Sequence, residues 1–202
     1  MIDKCSDGKA VFSRDNSLFP VITTKRLVLR QLSRDDAPML HNIWSDPVVL
    51  EFMVLDPFET LEEAIAMIEL LDGLYETGTG VRWTVTLASD GTVMGTCGYH
   101  NWAKEHFRAE TGYELGKDFW GKGYMKEAMS AILEFGFKEM DLNRVEALVT
   151  DGNERSLSLL KSLGFKVEGL LEEYEWARGK FQDQWICSLL RSRESEKPNS
   201  RA

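Results

Sequence analysis

Glu114-Leu115-Gly116-Lys117-Asp118-Phe119-Trp120-Gly121-Lys122-Gly123-Tyr124-Met125-Lys126-Glu127-Ala128 carries a strand pattern through a glycine-rich turn into a helix pattern. Two glycines separated by one residue let the backbone turn tightly and approach a ligand. The unpaired N–H groups of the following helix then point at an anion. Lys122 adds positive charge inside the turn. The arrangement predicts a phosphate cradle, but Gly-x-Gly also marks any tight turn, so the neighbouring elements decide between the two.

Upstream lie three strand candidates, Val81–Leu87, Val93–His100 and Phe107–Leu115, the first two joined by the hairpin signal Ser89-Asp90-Gly91. Together they predict an antiparallel meander. Downstream, Ala128, Ile132, Phe135 and Phe137 give the helix an apolar side, and Arg144–Val149 reads as a strand. A strand–helix–strand unit implies parallel neighbours and a right-handed crossover. Further out, Arg26–Leu32 reads as a strand. Ser33, with Asp36 three residues on, caps a helix running through Trp44, and Thr60 caps a second through Tyr75 that Gly78–Gly80 ends. A short helix, Glu154–Leu163, stops at Gly164. Strands Phe165–Ala177 and Gln182–Leu190 meet across Arg178-Gly179-Lys180. The expectation is a single α/β domain over residues 23–190 with a mixed sheet of about seven strands and about four helices. An arm (1–22) precedes it and a flexible tail (191–202) follows.

At 202 residues the chain suits one domain. Its 43% hydrophobic and 28% charged residues are ordinary for a soluble protein, and no apolar run nears the roughly 18 residues that cross a membrane. Met1–Pro20 has no apolar signal-peptide core, so a cytoplasmic location is expected. Cys5, Cys97 and Cys187 are an odd number without metal-ligand spacing, which argues against a disulfide framework and against a metal site. A net charge of −9 disfavours nucleic acid as a partner and suits a cationic acceptor. Monomer and homodimer both stay open.

The segment Trp120-Gly121-Lys122-Gly123-Tyr124-Met125, the pair Asn153 and Ser156, and Leu163-Gly164-Phe165 followed by Glu168-Gly169 resemble the GCN5-related N-acetyltransferase (GNAT) family. The opening Thr24-Lys25-Arg26-Leu27-Val28-Leu29-Arg30 and the ending Gly179-Lys180-Phe181-Gln182-Asp183 are similar to its RimJ/RimL ribosomal-protein acetyltransferase branch. The resemblance spans roughly Thr23 to Leu190. It implies the acyl-CoA N-acyltransferase fold, in which the fourth strand, holding Tyr113-Glu114-Leu115, splays from the fifth, beginning at Arg144.

It also implies acetyl-coenzyme A as co-substrate, its pyrophosphate on the amides of Trp120, Gly121, Lys122, Gly123, Tyr124 and Met125. Trp120 stands where the pattern usually has Gln or Arg, and Met125 where it has a small residue. An amide near Leu115 would hydrogen-bond the acetyl carbonyl, whose oxygen gains charge as an amine attacks. Asn153 would meet the pantetheine arm, and Ser156 would help the thiolate leave; as bare residues both also read as a helix cap. Tyr124 and Tyr174 are lesser candidates for the acid. The amine must lose a proton, and Glu175 is the first candidate base, although Glu172–Glu175 also reads as a solvated strand face. Glu114 is the alternative base. Glu110 is read as equally compatible with a structural role, His41 as surface or lining, and His100 and His106 as flanking Trp102.

The expected activity is direct attack by a primary amine on acetyl-coenzyme A in a ternary complex. The acceptor would be a protein or peptide N-terminus, such as that of a ribosomal protein. Trp44, Glu51, Phe52 and Trp102 are the expected acceptor contacts. A small amine such as a polyamine, amino sugar or amino acid is the alternative acceptor, and a non-catalytic acyl-coenzyme A sensor the alternative class. A dinucleotide-binding oxidoreductase is excluded by the antiparallel meander and the missing third glycine.

Overall fold

The computed structural model describes residues 11–12 and 19–194. Most of the arm (residues 1–10 and 13–18) and of the tail (195–202) lies outside them. The strands are β1 Val11–Phe12, β2 Ile22–Thr23, β3 Leu27–Arg30, β4 Val81–Leu87, β5 Val93–Ala103, β6 Arg108–Leu115, β7 Arg144–Thr150, β8 Lys166–Ala177 and β9 Lys180–Leu190. They form one mixed sheet in the order β1-β2-β3-β4-β5-β6-β7-β9-β8. The seven expected strands are present, and the two-residue β1 and β2 extend the edge beside β3. The helices are α1 Ala37–Trp44, α2 Leu61–Glu76, α3 Tyr124–Lys138, α4 Glu154–Ser162 and a terminal turn α5 Arg191–Glu194. No helix among the described residues is long and apolar enough to cross a membrane.

The caps follow the residues that signal them. Ser33 with Asp36, and Thr60 with Glu63, each form reciprocal capping boxes at the starts of the two early helical segments. Asp36 does more than cap. Buried, it accepts two Arg30 guanidinium bonds, at 2.6 and 2.8 Å, and the Thr84 hydroxyl at 3.0 Å, which fastens α1 to the sheet.

The last hairpin is tighter than its sequence implies. Arg178 and Gly179, at φ +51° and +75°, make a two-residue turn, so Lys180 pairs directly with Ala177 and β9 starts two residues earlier than expected. On the other side, Gly136 of α3 faces the Tyr99 ring of β5, where an added Cβ would fall 2.5 Å from the hydroxyl. That close approach lets Tyr99 donate to the Ile132 carbonyl at 2.7 Å.

What positions the site is the seam between β6 and β7. These strands are parallel and pair only at Arg108–Arg144, Ala109–Val145 and Glu110–Glu146. Beyond Glu110, β6 keeps pairing with β5 as far as Leu115, while β7 keeps pairing with β9 as far as Thr150. The sheet is held from both sides while its middle opens. A buried ion pair stiffens the β6 half: Arg82 on β4 bonds the Glu114 carboxylate, the Thr96 hydroxyl at 2.7 Å and the Gly112 carbonyl at 2.8 Å. Glu114 also accepts from Thr96 and from the Trp44 indole at 3.3 Å, so strand, neighbouring strand and α1 are joined at one carboxylate.

Arg82→Met would leave that carboxylate buried without its cation, and urea unfolding should show a loss of about 3–5 kcal/mol. The double variant Arg82→Met/Glu114→Leu should lose clearly less. Equal losses would mean that the network acts through packing, not charge.

Candidate active site

The Trp120–Tyr124 turn is built by two left-handed glycines, Gly121 at φ +72° and Gly123 at +76°. Gly123 is the N-cap of α3 and brings no side-chain cap, so the first-turn N–H groups stay available to an outside acceptor. A Cβ on Gly121 would meet nothing within 4 Å, so this glycine is required by its backbone angle and not by crowding.

A brace from the connection between β2 and β3 holds the turn. Arg26 donates to the Lys122 carbonyl at 2.9 Å and to Glu127 at 2.6 Å, and its guanidinium lies 4.5 Å from the Tyr124 ring centroid. Glu127 also accepts from the Thr24 hydroxyl at 2.7 Å and the Arg26 N–H at 2.8 Å. Burial alone would raise the Glu127 pKa, but the bonds from Thr24 and Arg26 bring it below the ordinary carboxylate value. Lys122 turns away and donates to the Asp118 carbonyl at 2.8 Å.

The turn opens onto a mainly apolar cleft of about 760 Å³ between the end of β6 and α4. Every residue expected to hold the coenzyme lines it except Lys122. Trp120 folds back so that its indole N–H donates to the Leu115 carbonyl at 2.6 Å, and its ring carries the Arg155 guanidinium at 4.6 Å. Met125 is buried at the cleft wall. Asn153 caps α4 by accepting the Ser156 N–H at 3.1 Å, and it lines the cleft as well, so both meanings of the Asn153/Ser156 pair coexist.

A second, more polar cavity of about 530 Å³ lies on the other side of the seam. Phe52, Met53, Tyr113, Glu114, Asn153 and Ser156 border both spaces, so the two meet where β6 and β7 part. At that junction the Tyr113 and Ser156 oxygens are 2.8 Å apart. Burial pushes the Tyr113 phenol up to about 12, although the bond to Ser156 opposes the shift, so the pair keeps its protons at neutral pH.

Glu175 faces the second cavity. The register of β8 against β9 shifts between Leu171 and Glu175, with Glu173 at φ +49°, and Glu175 stays on the same face as Leu171 and Ala177. Gln184 donates to it at 3.2 Å and to the Thr150 hydroxyl at 3.1 Å. Glu110 lies at the far wall between His100 at 3.2 Å and Asn101 at 3.1 Å; burial raises its pKa, and these two partners pull it below the ordinary value. Glu114 borders both spaces, but its oxygens are committed to Arg82, Thr96 and Trp44.

Other candidates lie elsewhere. Phe52 borders both spaces but Glu51 only the first, whereas Trp44 is a core residue packed edge-on against Phe58, and Trp102 lies under the Lys104 ammonium outside both spaces. His41 meets Ser45 at 3.3 Å, His106 lies beside Glu105, and Tyr174 sits exposed at the rim of the second cavity. Sequence reasoning passed over Tyr113, Arg155 and Arg26. Arg155 had a visible signal, a cation in the first turn of the helix that follows the seam; Tyr113 and Arg26 stood in quoted stretches, but nothing local gave either a role at the site.

The GNAT acetyltransferase domain model matches residues 26–166, well over half of the chain. The chain belongs to the GNAT family of N-acetyltransferases. The uncharacterized N-acetyltransferase p20 of Bacillus licheniformis is 40% identical over 168 residues, covering 83% of this chain and 94% of that protein. The [ribosomal protein uS5]-alanine N-acetyltransferase of Escherichia coli is 25% identical over 177 residues, covering 83% and 89%. A GNAT-family acetyltransferase structure from Bacillus anthracis superposes with a TM-score of 0.76 at 25% identity, covering 85% of this chain and 99% of that one. The GNAT fold thus accounts for the seam and for the cleft beside it.

The Glu127 brace makes the turn sensitive to acid. Because Glu127 is more acidic folded than its ordinary value of 4.5, its contribution is complete above that value and is lost as pH falls through the folded pKa. Glu127→Gln should therefore cost about 1 kcal/mol at pH 7, limited by partial exposure. The gap to wild type should close in thermal melts run progressively below pH 4.5.

Proposed function

We propose that this GNAT enzyme transfers acetyl from acetyl-coenzyme A to a primary amine, the N-terminal α-amino group of a protein or peptide, by direct attack across the β6–β7 seam. The observation that carries this is the junction of two unlike cavities at Tyr113 and Ser156: an apolar cleft ending at a glycine-built helix N-terminus, and a polar cavity holding Glu175. The first suits a long thiol ester with a phosphate end; the second suits an amine.

The fit to coenzyme A rests on the cradle. The open first turn of α3 and the left-handed Gly121 and Gly123 offer main-chain N–H groups to a pyrophosphate, and Arg155 lends positive charge at the cleft wall. The co-substrate supplies an acetyl carbonyl activated by its thiol ester. Gly116 N–H bonds Met94 on β5, and strand alternation then directs the Leu115 N–H to the opposite edge, toward the gap, where it would stabilise charge on that carbonyl oxygen. Glu175 would take the proton from the ammonium, freeing the nitrogen lone pair to form the new C–N bond. As the C–S bond breaks, Ser156, hydrogen-bonded to Tyr113, would pass its proton to the leaving thiolate and regain one from the acylated nitrogen, which sheds its second proton to become the amide, so both hydroxyls end protonated.

Glu175 is favoured over Glu114 because Glu114 would have to give up its buried ion pair with Arg82 before it could accept a proton. The acidic walls, Glu175 and Glu110, suit a cationic acceptor in general. A peptide is favoured over a small amine because the cavity opens to solvent beside the exposed Tyr174, which leaves room for a chain to continue outward.

The test is thiol release from acetyl-coenzyme A against a panel of N-terminal peptides and small amines. Turnover with peptides is expected; turnover confined to polyamines or amino sugars would replace the acceptor, and tight coenzyme binding with no turnover would favour a sensor. Glu175→Gln should lower kcat about a hundredfold or more at neutral pH with little change in coenzyme affinity. An unaltered pH–rate profile in that variant would move the base elsewhere.

A further inference from the structure

We propose that Arg178 is a positioning residue for the acceptor: from the tip of the β8–β9 hairpin it clamps Leu50–Leu55 across the junction of the two cavities and so sets which amines reach the thiol ester. The inference rests on the transferase function above for its specificity role, while the clamp itself stands on geometry.

The Arg178 guanidinium donates to four main-chain carbonyls of one irregular segment: Leu50, Glu51 at 3.2 Å, Met53 at 3.1 Å and Leu55 at 3.4 Å. These carbonyls belong to a single helical turn, Leu50–Phe52, and the extended chain after it. Nη1 donates to Glu51, while the two hydrogens of Nη2 are shared among Leu50, Met53 and Leu55; a lysine ammonium, a single nitrogen, cannot stand in the places of Nη1 and Nη2 together. The two-residue turn, with Arg178 itself left-handed, fixes where the fork begins.

A second tie comes from β7, where the Thr150 hydroxyl donates to the Phe52 carbonyl at 3.0 Å and accepts from Gln184, which also holds Glu175. Phe52 and Met53, the side chains carried by the clamped segment, border both cavities. The candidate base and the wall opposite it are therefore set by one hairpin.

The decisive variants are Arg178→Asn and Arg178→Lys. Asn-Gly is a favoured pair for this turn, so Arg178→Asn keeps the hairpin while removing the fork, and Arg178→Lys keeps the charge without it. In Arg178→Asn, amide exchange in Leu50–Leu55 should speed up by roughly tenfold with exchange in β9 and Tm unchanged. The acceptor KM should rise about tenfold, with kcat and the calorimetric Kd for acetyl-coenzyme A moving less than about threefold. Arg178→Lys should fail to rescue either. Unchanged exchange would overturn the clamp, and faster exchange with an unchanged acceptor KM would overturn its role in specificity. Absence of turnover by the wild-type protein with any amine would overturn the transferase function and the specificity role with it, leaving the exchange result to decide the clamp alone.

Discussion

Two parallel strands that share only three residue pairs set the rest of this structure. Where they separate, β6 stays paired with β5 from Glu110 to Leu115 and β7 stays paired with β9 as far as Thr150, so neither frays. A gap in a sheet ordinarily exposes unpaired N–H and C=O groups, which are costly if left dry. Here the cost is tolerated because the gap is open to two cavities, and its edge groups become donors and acceptors for whatever enters. The Leu115 carbonyl already shows the pattern, since it is satisfied by the Trp120 indole and not by β7.

The carboxylates around the gap have been sorted by their partners. Glu114 is surrounded by Arg82, Thr96 and Trp44 and serves to join β4, β5, β6 and α1. Glu127 is tied to Thr24 and Arg26 and serves the glycine turn. Glu175 has, among the described residues, a single amide donor in Gln184 and opens to a cavity, which leaves it the freedom a proton acceptor needs. Three glutamates of identical chemistry thus differ by how much of their hydrogen-bonding capacity the fold has already consumed.

Much of the architecture was legible in the chain because its signals are local. Ser33 and Asp36, Thr60 and Glu63, and the Gly121-x-Gly123 turn act within a few residues, and each forms as its spacing implies. Boundaries drifted where a tertiary or turn effect intervened, as at Lys180, which pairs with Ala177 once Arg178 and Gly179 both adopt left-handed angles. Aromatic residues were the poorest guides to the site: Trp44 and Trp102 are as apolar as Phe52, and nothing local says that the first belongs to the core and the last to the cleft.

The sequence by itself determined the order of elements, the glycine-built helix start and the Asn153 cap, since helix starts, caps and turns are settled by residues within one or two turns of each other. Only the tertiary structure decided that Tyr113 meets Ser156 across 43 residues, that Arg26 reaches the turn 96 residues away, and that Arg178 holds a segment more than 120 residues before it. The physical reason is the same in each case. A side chain's partner across a sheet or a cavity depends on register and on the path of the chain, quantities that no local spacing encodes.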